Sequence, residues 1–308
     1  MTIETDAIIM DGKQNSLGII SCAPGVVNPT EIAKTLLLES ALGLEPGGLI
    51  RPCSLSGNGV IAFAKEHNLL KPFSISTKRQ ATGQHYLEIM KRARSMLEKD
   101  VQDNTIQDNT IQDNTIQDNT VQDNDVQDNT IQHNIIQHNT VQDTVGCIIL
   151  SDNEIVAAGS SGGNWMRRSG CGGLCSIPGA GVWCDRTCGC ISSGLGVVGI
   201  RHMLAHQVCT IMQQDGIDHG KAVESLLINT LTNDLKQMKM ELSELFGVIG
   251  VRRTSSQSIE LVISHTSEMF GYGYVILPSF ETPSTPCFHI ELSERTKTQV
   301  CTTNTFYS

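Results

Sequence analysis

A pentapeptide repeat in the middle of the chain restricts the fold more than any other feature. Residues 101–140 are eight copies of a unit close to Val/Ile-Gln-Asp-Asn-Thr. On a helix, a period of five places successive apolar residues about 140° apart, so no apolar stripe forms. On a strand, an odd period sends them to alternate faces. A pentapeptide β-helix would need a small residue where this repeat has Asn. Residues 101–142 are therefore predicted to be a disordered, acidic, low-complexity linker between two folded segments.

The repeat leads directly into Asp143-Thr144, the single Asp-Thr pair of the sequence. The apolar run that follows, Val145 to Leu150, predicts a buried strand. Cleavage before Thr144 would place a free α-amine on the residue that carries the hydroxyl, and this is a recognised pairing of base and nucleophile. Such an amine titrates near ~8 and so acts as a base around neutral pH. Taken alone, the dipeptide is more simply explained as an ordinary junction between a loop and a strand.

Composition argues against several classes of function. The 308 residues carry a formal net charge of −10, which argues against a nucleic-acid-binding surface. No apolar stretch approaches the roughly 18 residues of a membrane span. The acidic opening residues are unlike a secretory signal, so we expect an intracellular protein with reduced thiols. The cysteines of segment 170–196 lack the paired spacing of zinc ligands, and we expect no metal.

Apolar periodicity predicts an α+β fold, because the order of strands and helices suits two stacked sheets with helices on both outer faces. A helix start is indicated by Asn28, Pro29 and Glu31. The tail, 278–308, is rich in Pro, Thr and Ser, and we expect it to be poorly ordered. The other predicted helices are 57–67, 82–99, 195–213 and 219–240, and the predicted strands are 4–11, 16–22, 144–150, 155–160, 246–252, 258–264 and 272–277.

Several short motifs occur in a characteristic order. They are Glu4-Thr5-Asp6-Ala7 with Met10-Asp11-Gly12, the Asp143-Thr144-Val145-Gly146 junction, Ser161-Gly162-Gly163, Ile177-Pro178-Gly179-Ala180-Gly181 and Ser192-Ser193-Gly194-Leu195-Gly196. Each motif is weak alone. The ordered set resembles the type 2 asparaginase group of N-terminal-nucleophile hydrolases and, within it, the threonine aspartase (taspase) branch. The resemblance covers residues 3 to about 276, except the repeat.

The resemblance implies a four-layer αββα sandwich in which residues 1–100 and 143–277 form one domain. It implies that the precursor cuts itself between Asp143 and Thr144. The two fragments would stay together as α and β chains and assemble into a dimer of αβ heterodimers. No cofactor is implied.

The resemblance also implies roles for individual residues. Thr144 would be the nucleophile, and Ser161 would contact and orient it. Ser193 and Gly194 would supply the oxyanion site, toward which the N-terminus of the predicted helix 195–213 would point. Two further glycines would border the substrate, namely Gly162 and Gly163.

The implied substrates are nuclear regulatory proteins with Asp at the cut position, such as chromatin factors. Two basic clusters, Lys78-Arg79 and 91–94, fit a two-part nuclear import signal. The solvated face of the predicted helix 82–99 is the simpler explanation, because short basic clusters match such signals by chance. Nucleus and cytoplasm both remain open as locations.

The sequence departs from the family pattern at three points. It begins where the family has already passed its first strand, its first helix and a Gly-rich loop, so we expect a fold that is incomplete at its N-terminus. Cys171 stands where the family has an Arg that pairs with the substrate carboxylate, and it cannot make that pairing. Arg167 or Arg168 is an open alternative. Leu174 stands where the asparaginase branch holds the substrate amine with Asp.

Three functional hypotheses follow. The first is an autoprocessing threonine endopeptidase that cleaves protein substrates after Asp. The second is a catalytically impaired pseudoenzyme or a truncated fragment of this family, which Cys171 favours. The third is an asparaginase or β-aspartyl amidase, against which Leu174 argues.

Overall fold

A computed structural model of the chain describes residues 3–72, 91, 144–151, 154–163, 167–237, 246–254, 259–267, 269–276, 287–294 and 301–307. The chain forms two compact units. The larger one comprises residues 2–71, 142–163 and 169–308 and contains every strand and helix given below. Of the other unit, the structure describes residues 72, 91, 167 and 168. The predicted α-chain segment, residues 1–100, thus contributes residues 2–71 to the larger unit.

The described residues form twelve strands. The first five make one sheet in the order β3-β2-β1-β5-β4, antiparallel except for the β2–β3 pair. Five others make a second sheet in the order β12-β9-β8-β7-β6, and β10 pairs with β11. The bounds are β1 Glu4–Asp11, β2 Ser16–Pro24, β3 Ser54–Ser56, β4 Val145–Ser151, β5 Glu154–Ser161, β6 Val182–Cys184, β7 Cys188–Gly194, β8 Phe246–Arg253, β9 Ile259–His265, β10 Met269–Ile276, β11 Cys287–Glu294 and β12 Cys301–Tyr307.

The predicted strands are confirmed to within a few residues. We expected poor order for the tail 278–308, and within it the described residues form β11 and β12. These strands pair with β10 and β9, and such pairing satisfies their backbone donors and acceptors.

Five helices lie among the described residues, together with a 3-10 turn at Leu174–Ser176. The first begins as predicted, because the Asn28 side chain accepts a hydrogen bond from the Glu31 backbone N–H. The bounds are α1 Pro29–Ser40, α2 Asn58–Glu66, α3 Gly196–His202, α4 Leu204–Met212 and α5 His219–Gln237.

The side chains of β1 alternate between two apolar clusters, as a strand requires. Ala7 belongs to a cluster in which α1 and α2 pack on the first sheet through residues such as Leu36 and Phe63. Ile8 and Met10 point the other way, into a cluster shared with β6 and β7 of the second sheet.

A third cluster joins the second sheet to α3, α4 and α5. Phe246 of β8 is fully buried there, among residues such as Leu204, Met212 and Leu227. Helices and sheets thus share buried interfaces on several faces, and the fold class α+β is confirmed.

The predicted single helix 195–213 is wrong, because two helices occupy this run. Met203 separates them with φ of 48°, in the left-handed region. The first N–H groups of α4, from Ala205 and His206, donate to carbonyl oxygens of residues 179–180 at 3.2 and 2.9 Å. This anchoring starts α4 as a helix of its own, and α3 ends after seven residues.

The strand after Thr144 is confirmed, but its predicted burial is wrong. Val145 and Ile149 are 67% and 63% exposed. β4 lies at the edge of its sheet. One of its faces packs, through Ile148 and Leu150, on the apolar cluster shared by the two sheets, and the other faces outward.

Several predictions lie outside the described residues. They concern the helix 82–99 apart from Lys91, the basic cluster Lys78-Arg79, the linker 101–142 and Asp143. Within the described ranges, no helix is long and apolar enough to cross a membrane.

Candidate active site

Thr144 immediately precedes the edge strand β4. The antiparallel register pairs Val145 with Ser160, which brings Thr144 beside Ser161, the last residue of β5. The Thr144 hydroxyl donates a hydrogen bond to the Ser161 hydroxyl oxygen at 3.2 Å. Ser161 is only 7% exposed. The hairpin therefore holds the candidate nucleophile against a buried hydroxyl group.

A glycine turn fixes the position of Ser161. The Gly163 backbone N–H donates to the Ser161 hydroxyl oxygen at 3.0 Å. Gly163 has φ of 72°, a conformation that glycine adopts without a steric penalty. The motif Ser161-Gly162-Gly163 thus folds back on its own serine, and that serine is in turn held toward Thr144.

Thr144 lines a cavity of about 340 Å³, within the usual size range of ligand sites. The first sheet contributes the hairpin β4–β5, and the second contributes β7 and β8. Among the described lining residues, the polar side chains are those of Thr144, Ser192 and Ser193, apart from one cysteine. The described lining residues are Thr144, Val145, Gly146, Gly159, Cys175, Gly181, Ile191, Ser192, Ser193, Gly247, Ile249, Phe270 and Gly271.

Glycines in the cavity wall allow apolar side chains to close over them. A Cβ on Gly146 would lie 2.8 Å from Ile191, closer than real contacts allow. A Cβ on Gly247 would overlap the ring of Phe270. These two positions cannot take a larger residue unless the apolar wall moves.

The predicted oxyanion segment lies partly at the cavity. Ser193 lines it and pairs with Gly247 across β7 and β8. Its neighbour Ser192 is held rigidly, because its hydroxyl donates to the Ala180 carbonyl at 2.8 Å. Gly194, with φ of 146°, ends β7 and is not among the described residues that line the cavity.

The two positions that the resemblance ties to substrate specificity, 171 and 174, are not among the described residues that line the cavity. Cys171 is exposed and is not among the described lining residues. Leu174 is 3% exposed and packs close to Gly181 and Gly199. A buried leucine at this position holds no substrate amine.

The structure thus brings together Thr144, Ser161 and Ser193, while Asp143 lies outside the described residues. Sequence reasoning missed the apolar wall, formed by Cys175, Ile191, Ile249 and Phe270. A weak signal for it was the glycine that lies opposite each of Cys175, Ile191 and Phe270. Within the described residues, no group of three or more His, Cys, Asp or Glu could hold a metal ion.

Comparison with known proteins places the chain in one family. Residues 1–274 match the family model described as asparaginase (Asparaginase_2). The chain belongs to this family. Its members are N-terminal-nucleophile hydrolases, in which the first residue of a processed chain is the nucleophile.

Two curated relatives are similar over part of their length. The chain is 26% identical to a plant-type L-asparaginase from Pyrobaculum calidifontis over 221 residues, which cover 71% of this chain and 58% of the relative. It is 32% identical to a probable isoaspartyl peptidase/L-asparaginase 2 from Arabidopsis thaliana over 90 residues, which cover 29% and 28%. The chain thus spans less than two thirds of the length of these relatives.

Proposed function

We propose that this protein is a self-processing hydrolase of amide bonds in which Thr144 is the nucleophile, freed by cleavage between Asp143 and Thr144. One observation carries the proposal. The Thr144 hydroxyl lies at the start of a strand, 3.2 Å from a buried serine, and lines a cavity large enough for a substrate side chain.

Self-cleavage would proceed in two steps. The Thr144 oxygen attacks the Asp143 carbonyl carbon, the peptide C–N bond breaks, and the hydroxyl proton passes to the departing nitrogen. This leaves an ester between the two residues. Water then hydrolyses the ester, which releases the Asp143 carboxylate and restores the Thr144 hydroxyl, now beside a free α-amine.

The mature site would use the same oxygen on a second amide. The Thr144 amine takes the hydroxyl proton while the oxygen attacks, and the resulting ammonium protonates the leaving amine. Donors near Ser193 would stabilise the tetrahedral oxyanion. Hydrolysis of the acyl-enzyme by water completes the cycle.

Within this class we favour a taspase-like endopeptidase that cleaves after Asp. The motif set supports it, and so does Leu174, because an amidase for free amino acids needs a group that holds the substrate amine. An L-asparaginase or isoaspartyl peptidase is the second candidate, favoured by the names of the two relatives. A catalytically impaired protein is the third, favoured by the exposed Cys171.

We further propose that the layers form the αββα sandwich of the family and that the two fragments assemble as a dimer of heterodimers. Nuclear regulatory proteins would be the substrates, reached in the nucleus or cytoplasm. The shared clusters between helices, first sheet and second sheet support this layering.

The test is an intact-mass measurement on the purified protein. We expect two chains that meet at 143/144. Thr144→Val, which keeps the side-chain shape but lacks the hydroxyl, should remain a single chain, whereas Thr144→Ser should still be cut. A wild-type chain that stays whole would favour the impaired protein. Peptides with Asp at the cut position, compared with free asparagine and β-aspartyl dipeptides, then separate peptidase from amidase.

A further inference from the structure

A buried acid, Asp6, lies close to the active-site elements and has no role in the chemistry above. Asp6 is fully buried in the middle of the first sheet. Its Oδ1 atom accepts a hydrogen bond from the Cys22 backbone N–H at 2.8 Å. Its Oδ2 atom accepts one from the Gly173 backbone N–H at 2.9 Å. Both carboxyl oxygens are therefore bound to backbone, at two distant points of the chain.

These two contacts lie on opposite sides of the proposed cleavage site. Asp6 and Cys22 belong to fragment 1–143, whereas Gly173 belongs to fragment 144–308. Cys22 has φ of 51°, unusual for a residue with a Cβ, at the point where the β1–β2 register shifts. The carboxyl group accepts the N–H that this irregularity turns away from the strand ladder.

The Gly173 contact connects Asp6 to the part of the cavity wall that Cys175 forms, which we call the floor. Gly173 caps the 3-10 turn Leu174–Ser176, and its carbonyl accepts the Ser176 N–H at 3.0 Å. Cys175, in the middle of this turn, lines the cavity beside Thr144. The position of the Gly173 backbone therefore sets the position of the floor.

Asp6 also adjoins the other side of the site. Across β1 and β5 it pairs with Ser161, the residue that contacts the Thr144 hydroxyl. The Asp6 carbonyl oxygen accepts a hydrogen bond from the Ser160 hydroxyl at 3.1 Å. One residue thus joins the strand that orients the nucleophile to the turn that floors the cavity.

A second carboxyl group fastens the same loop two residues earlier on β1. Glu4 accepts hydrogen bonds from the Gly170 backbone N–H at 2.9 Å and from the Ser169 hydroxyl. Loop 169–173 is thereby attached to β1 at both of its ends.

We propose that Asp6 is a positioning residue for the Thr144 reaction, which keeps the cavity floor in register with the nucleophile across the boundary between the two fragments. The inference rests on the proposed function of Thr144. Catalysis is sensitive to displacements of about 1 Å, so the loss of this tether should affect rate more than stability.

Asp6→Asn is the informative change. An amide offers one oxygen acceptor, so whichever way it turns, one backbone N–H loses its partner. Asp11→Asn is the control for the loss of a buried carboxylate on β1, because Asp11 accepts its two backbone N–H groups, from Lys13 and Gln14 at 2.8 and 3.1 Å, on Oδ1 alone, an oxygen that the amide keeps. It lies at the far end of β1.

The experiment measures the first-order rate of 143/144 cleavage by intact mass after refolding, well below the unfolding temperature of each variant. We expect Asp6→Asn to slow cleavage about 10- to 100-fold and Asp11→Asn to change it less than about twofold. Should Asp6→Asn not fold, Glu4→Ala loosens the same loop from a partly buried site, and about threefold slowing is expected.

Equal rates for Asp6→Asn and wild type would overturn the inference, as would equal slowing by Asp6→Asn and Asp11→Asn. With Glu4→Ala in place of Asp6→Asn, an unchanged rate would do the same. If the wild type itself is never cut, the proposed function fails and the positioning role fails with it.

Discussion

Replacing Ser161 by alanine removes one hydroxyl from the site and leaves Thr144 in place. The bonds lost include one from the Thr144 hydroxyl at 3.2 Å and one from the Gly163 N–H at 3.0 Å. Under the proposed function, the first orients the nucleophile. The second holds the glycine turn, so its loss should appear mainly in stability.

The magnitude follows from the value of one such bond. A hydrogen bond contributes about 0.5–1.5 kcal/mol net, and about 1.36 kcal/mol corresponds to a tenfold change in rate. If Ser161 orients Thr144 and takes no other role, self-cleavage should slow by about 2- to 13-fold. The loss of both bonds should lower the free energy of unfolding by about 1–3 kcal/mol.

Cleavage at 143/144 is followed by intact mass, and unfolding is followed in urea. Ser40→Ala is the control, because the partly buried Ser40 also donates one hydrogen bond, to the Leu37 carbonyl at 2.8 Å, and it ends α1, outside the described lining of the cavity. It should leave the cleavage rate near that of wild type. Slowing beyond about 100-fold, or no slowing at all, would contradict an orienting role for Ser161.

Three other outcomes are expected. Gly247→Ala should push the Phe270 ring out of the cavity wall, lower the free energy of unfolding by about 1–3 kcal/mol and slow cleavage; an unchanged rate and melting temperature would refute the packing argument. Glu260→Ala should cost about 3–5 kcal/mol in urea unfolding, because Glu260 is 2% exposed and pairs with the buried His219 at 2.8 Å; a loss below about 1 kcal/mol would contradict it. Alkylation at pH 8 should discriminate among the thiols, since burial raises the pKa of Cys184 from its ordinary 9.0 to about 12 and raises the pKa values of Cys190 and Cys209. Peptide mapping of the native protein should find modified Cys53, Cys147 and Cys171 and unmodified Cys184, Cys190 and Cys209.

The raised thiol pKa also predicts a dependence of stability on pH. Above pH 9 the unfolded Cys184 thiol ionises while the folded one keeps its proton, so the unfolded state binds fewer protons and stability falls as pH rises toward 12. Urea unfolding between pH 8 and 11 measures this. Cys184→Ser should flatten the decline, and an equal decline in that variant would assign it to other groups.

Much of the fold could be predicted from local patterns. The alternation of Ala7 and Ile8 between two apolar clusters and the cap at Asn28 are properties of neighbouring residues, and the sequence displays them. The break at Met203 could not be predicted, because the groups that anchor α4 belong to a loop more than twenty positions earlier. The exposure of β4 likewise depends on its place at the sheet edge.

The candidate site, too, could be predicted only in part. Thr144 and Ser161 were predicted from motifs, whereas Phe270 and Ile249 approach the cavity through tertiary packing alone. The role proposed for Asp6 also depends on a contact between residues 167 positions apart. No local pattern in the sequence reports such a contact.

The register of the β4–β5 hairpin, in which Gly146 pairs with Gly159, limits the insertions and deletions that this protein tolerates. Side chains on a strand alternate, so inserting or deleting one residue between Ser151 and Glu154 would slide β4 along β5 and turn Thr144 to the opposite face. The hydroxyl would then point away from Ser161 while every chemical group stayed present. Under the proposed function we therefore expect the length of this short hairpin to matter as much as the identity of the threonine, whereas changes in the length of the repeat 101–140 should cost little loop entropy.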